Sequence, residues 1–334
     1  EQTYVHTFYK KEATAQQPAT SKEEGNLVAF SGPDFKATFD KQSGLLTSYL
    51  YKKHEYILNG QGPRPFFWRA PTDNDYGANL PVRLKAWKEA SYQEPKAESF
   101  QVTPGSNATT IKVTYRFPQT DARWDITYKI YASGVIKVDN RFVAEGDQAP
   151  MIPRVGLRMQ LPESFTDLTY YGRGPKENYR DRRTSQFIGE YAIPVKDMYE
   201  PYVRPQENNH RTDIYWCALT DKTQRGLLLI ADRTFELNTS NYPLESMDSG
   251  DTIDNSAPRT EKTHHRHLTD PLPEKMVDLF IDYRMMGVGG DDSWGATAHE
   301  PYLIRPGKEN AIEYGFSLVP FDKKEDYKYL IRQY

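Results

Sequence analysis

Thr109-Thr110-Ile111-Lys112-Val113-Thr114-Tyr115-Arg116-Phe117 alternates apolar and polar side chains with period two, and most of its members are β-branched or aromatic. Successive side chains of a strand point to opposite faces, so this stretch reads as a half-buried strand. Trp124 to Tyr131 and Gly134 to Val143 repeat the pattern immediately downstream. Further runs lie at Lys36–Phe39, Leu45–Tyr51, Val155–Leu161, Leu168–Tyr171, Ile214–Leu219, Gly226–Ala231, Lys275–Tyr283 and Ile312–Val319. Gly, Pro, Asn and Asp clusters separate them, which supplies the turn chemistry that strand connections need. Strands in this number and at this spacing predict an all-β fold, a large antiparallel β-sandwich. Helix is scarce. The best candidate is Val82–Ala90, after Pro81 at a first turn.

A chain of 334 residues calls for one very large domain or two ordinary ones. Apolar residues make up 37%, but 24 Tyr, 15 Phe and 5 Trp supply enough buried area for a sizeable core. The formal net charge of −3 comes from 43 basic and 46 acidic residues mixed along the chain. With no basic block or stripe, neither nucleic acid nor a membrane surface is an expected partner. No window approaches the ~18 uncharged apolar residues of a membrane-spanning helix. Cys217 is the single cysteine, which excludes an internal disulfide and a cysteine-cluster metal site and leaves the compartment, cytoplasmic or periplasmic, open.

Along the chain, residues 1–10 alternate like a strand too short to fold alone and read as the last strand of a preceding domain. Residues 11–27 are polar, small and charged, and read as a linker to a sandwich over 28–334. Residues 246–263 hold Asp, Ser, Gly, Thr and Asn with little apolar content, which predicts a mobile surface loop.

Three segments interrupt the alternation with dense polar content: Trp68–Gly77, Tyr171–Arg182 and Gly287–Gly295. Each follows an apolar or aromatic run, so each is expected to leave a strand end, where sites gather. Within them Arg69–Gly77, Gly174–Arg182 and Asp291–Trp294, together with His265–His267, are expected to converge on one rim or cleft of the sandwich. Asp73 with Asp75, and Asp291 with Asp292, have the composition of a glycosidase acid/base pair, but short acidic side chains ordinarily cap turns and helix starts. Gly172-Arg173-Gly174 lacks the rest of a phosphate-binding pattern, and Pro175 removes a donor there. His265 and His267 would share a strand face, or His264 and His267 a helix face, yet no Cys or carboxylate lies at ligand spacing, so no metal is assigned. Trp68, Trp124 and Trp216 suit a core. Trp294, after Gly-Gly-Asp-Asp-Ser and before Gly295, sits where the backbone turns. An indole so placed suits stacking on the apolar face of a sugar, and the Tyr, Asn, Asp and Arg of the other loops suit hydroxyls.

Six blocks in order carry a family resemblance: Arg69–Asp75, Gly174–Tyr179, Asp197–Val203, Pro205–Asn208, His265–His267 and Gly289–Trp294. They resemble the C-terminal, small-chain-like domain of bacterial family 2 β-galactosidases of the large lactose-hydrolysing type, over residues 28 to 321. The resemblance implies a supersandwich of the galactose-mutarotase-like kind. It implies that the catalytic glutamates, with magnesium and sodium, belong to a barrel and other domains that this chain does not contain, so no catalytic residue and no cofactor is assigned here. The parent would be a homo-oligomer and a retaining hydrolase of β-galactosides such as lactose. By the same resemblance Trp294 reaches the mouth of the barrel's site and stacks on the leaving-group sugar, with Asp291, Asp292, Asn178 and His267 as further sugar-binding candidates. Two other readings stand beside this one. One is an aldose 1-epimerase using His265 or His267 with Glu177 or Glu313. The other is a purely structural or carbohydrate-binding module.

Overall fold

A computed structural model of the chain describes residues 17–145, 151–250, 267–291, 297–305, 307 and 311–333. A five-stranded antiparallel meander comes first, formed by β1 (Thr20–Glu24), β2 (Leu27–Ser31), β3 (Phe35–Asp40), β4 (Leu46–Tyr51) and β5 (His54–Glu55) in sequence order. A second sheet has twelve strands. They are β6 (Arg64–Phe66), β7 (Ala97–Thr103), β8 (Thr109–Phe117), β9 (Ala122–Ile130), β10 (Ile136–Ala144), β11 (Arg154–Pro162), β12 (Asp167–Gly174), β13 (Phe187–Pro194), β14 (Arg211–Thr220), β15 (Gly226–Ser240), β16 (Met276–Met285) and β17 (Ile312–Phe321). Its main path runs β13-β12-β14-β15-β17-β10-β9-β8-β7. The 15-residue β15 branches it: Gly226–Ala231 pairs β17, while Glu236–Ser240 pairs β16, which leads on to β11 and β6.

The period-two reading holds in detail. In β9, Ala122, Trp124, Ile126, Tyr128 and Ile130 are buried while Arg123, Asp125, Thr127 and Lys129 are only partly so. On the outward face Lys129 reaches Asp139 at 3.0 Å and the Thr114 hydroxyl donates to Asp125 at 2.7 Å, cross-strand pairs that favour this register. Between the sheets Phe39 packs edge-on against Tyr128 with centroids 5.0 Å apart. Phe67 is surrounded by Trp87, Phe117, Trp124 and Phe142, all within 5.5 Å between centroids. Trp68, Trp124 and Trp216 are buried, as their sequence settings predicted.

Among the described residues helix is confined to short pieces. The segment expected at Val82–Ala90 is α2 (Leu80–Arg83) and α3 (Lys85–Tyr92), broken at Leu84, with Pro81 in the first turn; α1 (Asp73–Gly77) precedes them. A last helix, α4 (Tyr327–Leu330), covers the far face of the large sheet, where Tyr327 packs on Trp216 and Phe321. The tail is fastened by Lys52 to Asp322 at 2.9 Å and by Lys328 to Glu190 at 2.7 Å.

Two sequence boundaries need correction. The linker does not extend to residue 27, because Pro18 bridges Tyr131 and β1 pairs β2 along its whole length. Every β1 side chain is exposed, so this charged edge strand needs no apolar face and shows no alternation. Nor is 246–263 a surface loop from its start. Leu244–Met247 forms a buried 3-10 turn, and Asp248 accepts from Trp68 Nε1 at 2.9 Å and pairs with Lys88 at 3.0 Å. Residues 251–263 of that segment, like the strand expected within residues 1–10, lie outside the described residues.

Candidate functional site

Beyond the end of β6 the chain enters the first polar interruption, and its Arg69 is buried. A buried guanidinium must have its donors paired. Arg69 donates to Asp75 through Nε at 2.9 Å and Nη2 at 2.7 Å, and to the carbonyls of Met286 at 2.7 Å and Gly287 at 3.1 Å. Asp75 is fixed in turn as the third residue of α1. Its carboxylate accepts from the Thr72 N–H at 3.0 Å, and its own N–H donates to the Thr72 hydroxyl at 3.1 Å. This is a capping box, with Asp where Glu or Gln is usual.

The Arg69 fork therefore ties the first interruption to the third, and other groups complete the hold. Asn74 donates to the Val288 carbonyl at 3.1 Å. Asp181, from the second interruption, accepts from the N–H groups of Val288 at 3.1 Å and Gly289 at 2.8 Å. Glu236 accepts from the Met285 N–H at 2.7 Å, Pro153 from Met286 at 3.0 Å and Tyr302 from Gly287 at 2.8 Å. Successive backbone groups from 285 to 289 are thus held by side chains or carbonyls of other elements. Gly287 has no room for a side chain, since a Cβ there would stand 2.5 Å from Asp181 Oδ2 and 2.8 Å from Ala298 Cβ. Gly289 and Gly290 have φ of +69° and +107°, so the chain turns away from the clamp where glycine is favoured.

Beneath the clamp lies a buried charge network. Glu236 accepts from Arg180 at 2.7 Å and meets His210 Nε2 at 2.9 Å. Arg154 faces Asp282 at 3.2 Å and Glu207 at 3.5 Å, and stacks on the Phe280 ring at 4.2 Å. Burial pushes the Asp282 carboxyl well above the usual range; Arg154 opposes this, while Glu236 and Glu207 add to it. Burial also raises Glu207, against Arg154, His210 and Arg69. For Glu236, burial acts upward too, but His210, Arg180 and the Met285 N–H outweigh it and hold the group below its ordinary value. His210 and Glu236 have the identities of an acid/base pair, yet their side chains are 0% and 2% exposed. A reactant has no access to them. Their observed bonds instead fix β14, β15 and the start of the clamped segment.

The sequence-predicted candidates fall in different places. Asn178 is fully buried and engaged within the chain: its amide donates to the carbonyls of Arg173 and Lys176 at 3.0 Å, and its oxygen accepts from Thr212. Asp291 is exposed and contacts His299. His267 is exposed, and its N–H donates to Asp270 at 2.9 Å. Asp292, Trp294, His264 and His265 lie outside the described residues. Asp73 is exposed beside Arg204, at 2.9 Å. Asp75 therefore follows the capping reading, whereas Asp73, in the first turn of α1, pairs with Arg204 and Gln206 instead. Glu177 binds the Asn209 N–H, Arg182 and Tyr202, and Glu313 pairs with Arg141 at 3.5 Å; neither has a histidine partner among the described residues. Reading the sequence missed Arg154, His210, Glu236 and Asp282. The cue available was a charge inside otherwise apolar strands, as at Asp278 and Asp282 of β16. Among the described residues no group of three or more His, Cys, Asp or Glu could hold a metal ion, and no helix is long and apolar enough to cross a membrane.

Fold and site together define a large antiparallel β-sandwich domain that holds a glycine-rich loop at one rim. The family model for the beta galactosidase small chain matches residues 31–318, and the chain belongs to that family. It is 33% identical over 291 residues to a beta-galactosidase of Priestia megaterium, covering 87% of this chain and 26% of that protein. It is 27% identical over 324 residues to one of Streptococcus thermophilus, covering 96% and 29%. The chain thus spans roughly a quarter of the length of these relatives. Among solved structures it is similar to galactose 1-epimerase from Lactobacillus acidophilus NCFM, with a TM-score of 0.49 and 7% identity over 92% of this chain and 99% of that one.

Proposed function

We propose that this chain is the C-terminal sandwich domain of a retaining family 2 β-galactosidase that removes terminal β-D-galactose from β-galactosides such as lactose. Catalysis would reside in a barrel elsewhere in the parent, with its own metal ions, and the parent would be a homo-oligomer. The domain's part is to bind and shape the leaving-group side of the sugar site through the loop carrying Asp291, Asp292 and Trp294. The observation that carries this reading is the clamp on residues 285–289, which joins all three polar interruptions and fixes the base of that loop. Binding groups are effective when rigid elements preorganise them. The buried His210–Glu236 pair offers no competing reaction centre.

Two assays test the proposal. The purified chain alone should give no turnover of an aryl β-galactoside above a heat-denatured control. In the parent, Trp294→Ala should weaken acceptor-sugar binding by about 1–3 kcal/mol, appearing mainly in KM for the leaving-group sugar. Turnover by the isolated chain, or an unchanged parent variant, would overturn it.

A further inference from the structure

One cavity in the described structure shares no residue with the clamp. It is a cavity of about 350 Å³ between β6, α3, β11 and the 3-10 turn at Leu244–Met247, lined among others by Gln61, Arg64, Tyr92, Arg158, Gln160 and Glu245. The volume falls at the lower end of the roughly 300–1,000 Å³ usual for small-molecule sites.

Its wall is built rather than incidental. Arg158 is held on two sides: Nε and Nη2 donate to Asp278 at 2.8 and 2.7 Å, and Nη1 and Nη2 to Glu245 at 2.5 and 2.8 Å. That lattice fixes Glu245 at the rim with half of its side chain exposed. Among the described residues Arg64 uses only Nη2, on the carbonyls of Ser91 and Gln93, which leaves Nε and Nη1 without a hydrogen-bond partner there. The side-chain amides of Gln61 and Gln160 also have no hydrogen-bond partner among the described residues, and both line the cavity. The Tyr92 hydroxyl is tucked away from solvent without a partner among the described residues, while the residue is partly exposed and lines the cavity, so ring carbon forms part of the wall.

The chemistry of this set selects a ligand class. An anion is disfavoured, because Arg158 is neutralised by two carboxylates and Glu274 adds a further negative charge to the lining. A cation would face the unpaired edge of Arg64. Two amides that both donate and accept, an acceptor carboxylate, a donor guanidinium and an aromatic ring instead match hydroxyl groups carried on an apolar ring. We propose that this cavity is a second saccharide site, which takes one neutral pyranose independently of Trp294.

The test is saturation-transfer NMR on the whole chain, titrating methyl β-D-galactopyranoside. Binding should saturate in the millimolar range. Gln61→Ala/Gln160→Ala, which alters only partly exposed side chains, should weaken it by about tenfold without moving the melting temperature. Tyr92→Leu should reduce transfer to the ring protons of the sugar. Trp294→Ala should leave the affinity unchanged, which separates this site from the proposed leaving-group site, and inorganic phosphate should not compete. Absent saturation, an unaltered affinity in the double variant, loss of binding in Trp294→Ala, or displacement by phosphate would each overturn the proposal.

Discussion

Arg69 shows how one side chain sets the geometry of a rim. Its fork joins a helix start to two carbonyls 217 and 218 positions away. The planar guanidinium makes these contacts simultaneously; an ammonium cannot bond both carboxylate oxygens and both carbonyls. Arg69→Lys is therefore expected to cost about 3–5 kcal/mol, since it strips Asp75 of its fork and leaves two buried carbonyls short of donors. Urea unfolding of the two chains measures this, and a loss within experimental error would show that the fork is dispensable. From sequence, Arg69 and Asp75 were visible as members of one polar block, and the capping role of Asp75 followed from its type. Their reach to residues 286–287 was not visible, because nothing local encodes a contact across most of the chain.

At the scale of elements, legibility followed burial. β8, β9, β10, β11 and β16 bury a face or both, and alternation or apolar runs marked each of them. The missed strands include those at the margins. β1 and β5 bound the small sheet, β7 and β13 end the main path of the large one, and β6 pairs only with β11. Margins carry exposed residues, as Phe187 shows at 72%, so no buried period is imposed on their sequence. A bulge adds a second kind of illegible feature. The register of β14 against β15 shifts between Arg211 and Ile214, and Asp213 takes φ of +57°. Its carboxylate meets Arg173 at 2.7 Å and Arg183 at 2.8 Å. Burial raises its pKa, but Arg173, Arg183 and Arg180 outweigh burial and hold it below the usual carboxylate value. A depressed pKa contributes stability that is present above the unfolded-state value and is lost as pH falls through the folded one. Melting curves from about pH 7 down to about pH 3 should therefore show a steeper loss for the wild type than for Asp213→Asn. Parallel curves would contradict this assignment.

For the whole molecule, the sandwich class was legible because so many strands repeat one period, and the family because six polar blocks keep their order. The branching of the large sheet at β15 was not, since its second half, Glu236–Ser240, is mostly polar in sequence and is buried only through its pairing with β16. The tail was equally opaque: α4 is a single charged turn whose apolar residues gain meaning only against Trp216 and Phe321. Under the proposed function, the bonds on residues 285–289 hold the base of the loop that carries Trp294, so that it can serve a partner surface. On this proposal Trp294 works outward from that rim and does not stabilise the sandwich. The direct measurement is equilibrium unfolding of the wild-type chain, Trp294→Ala, and Trp124→Ala as a buried reference. Trp124→Ala should lose about 3–5 kcal/mol while Trp294→Ala should stay within about 0.5 kcal/mol of wild type. A loss in Trp294→Ala as large as that of the buried reference would make it a core residue and contradict the claim.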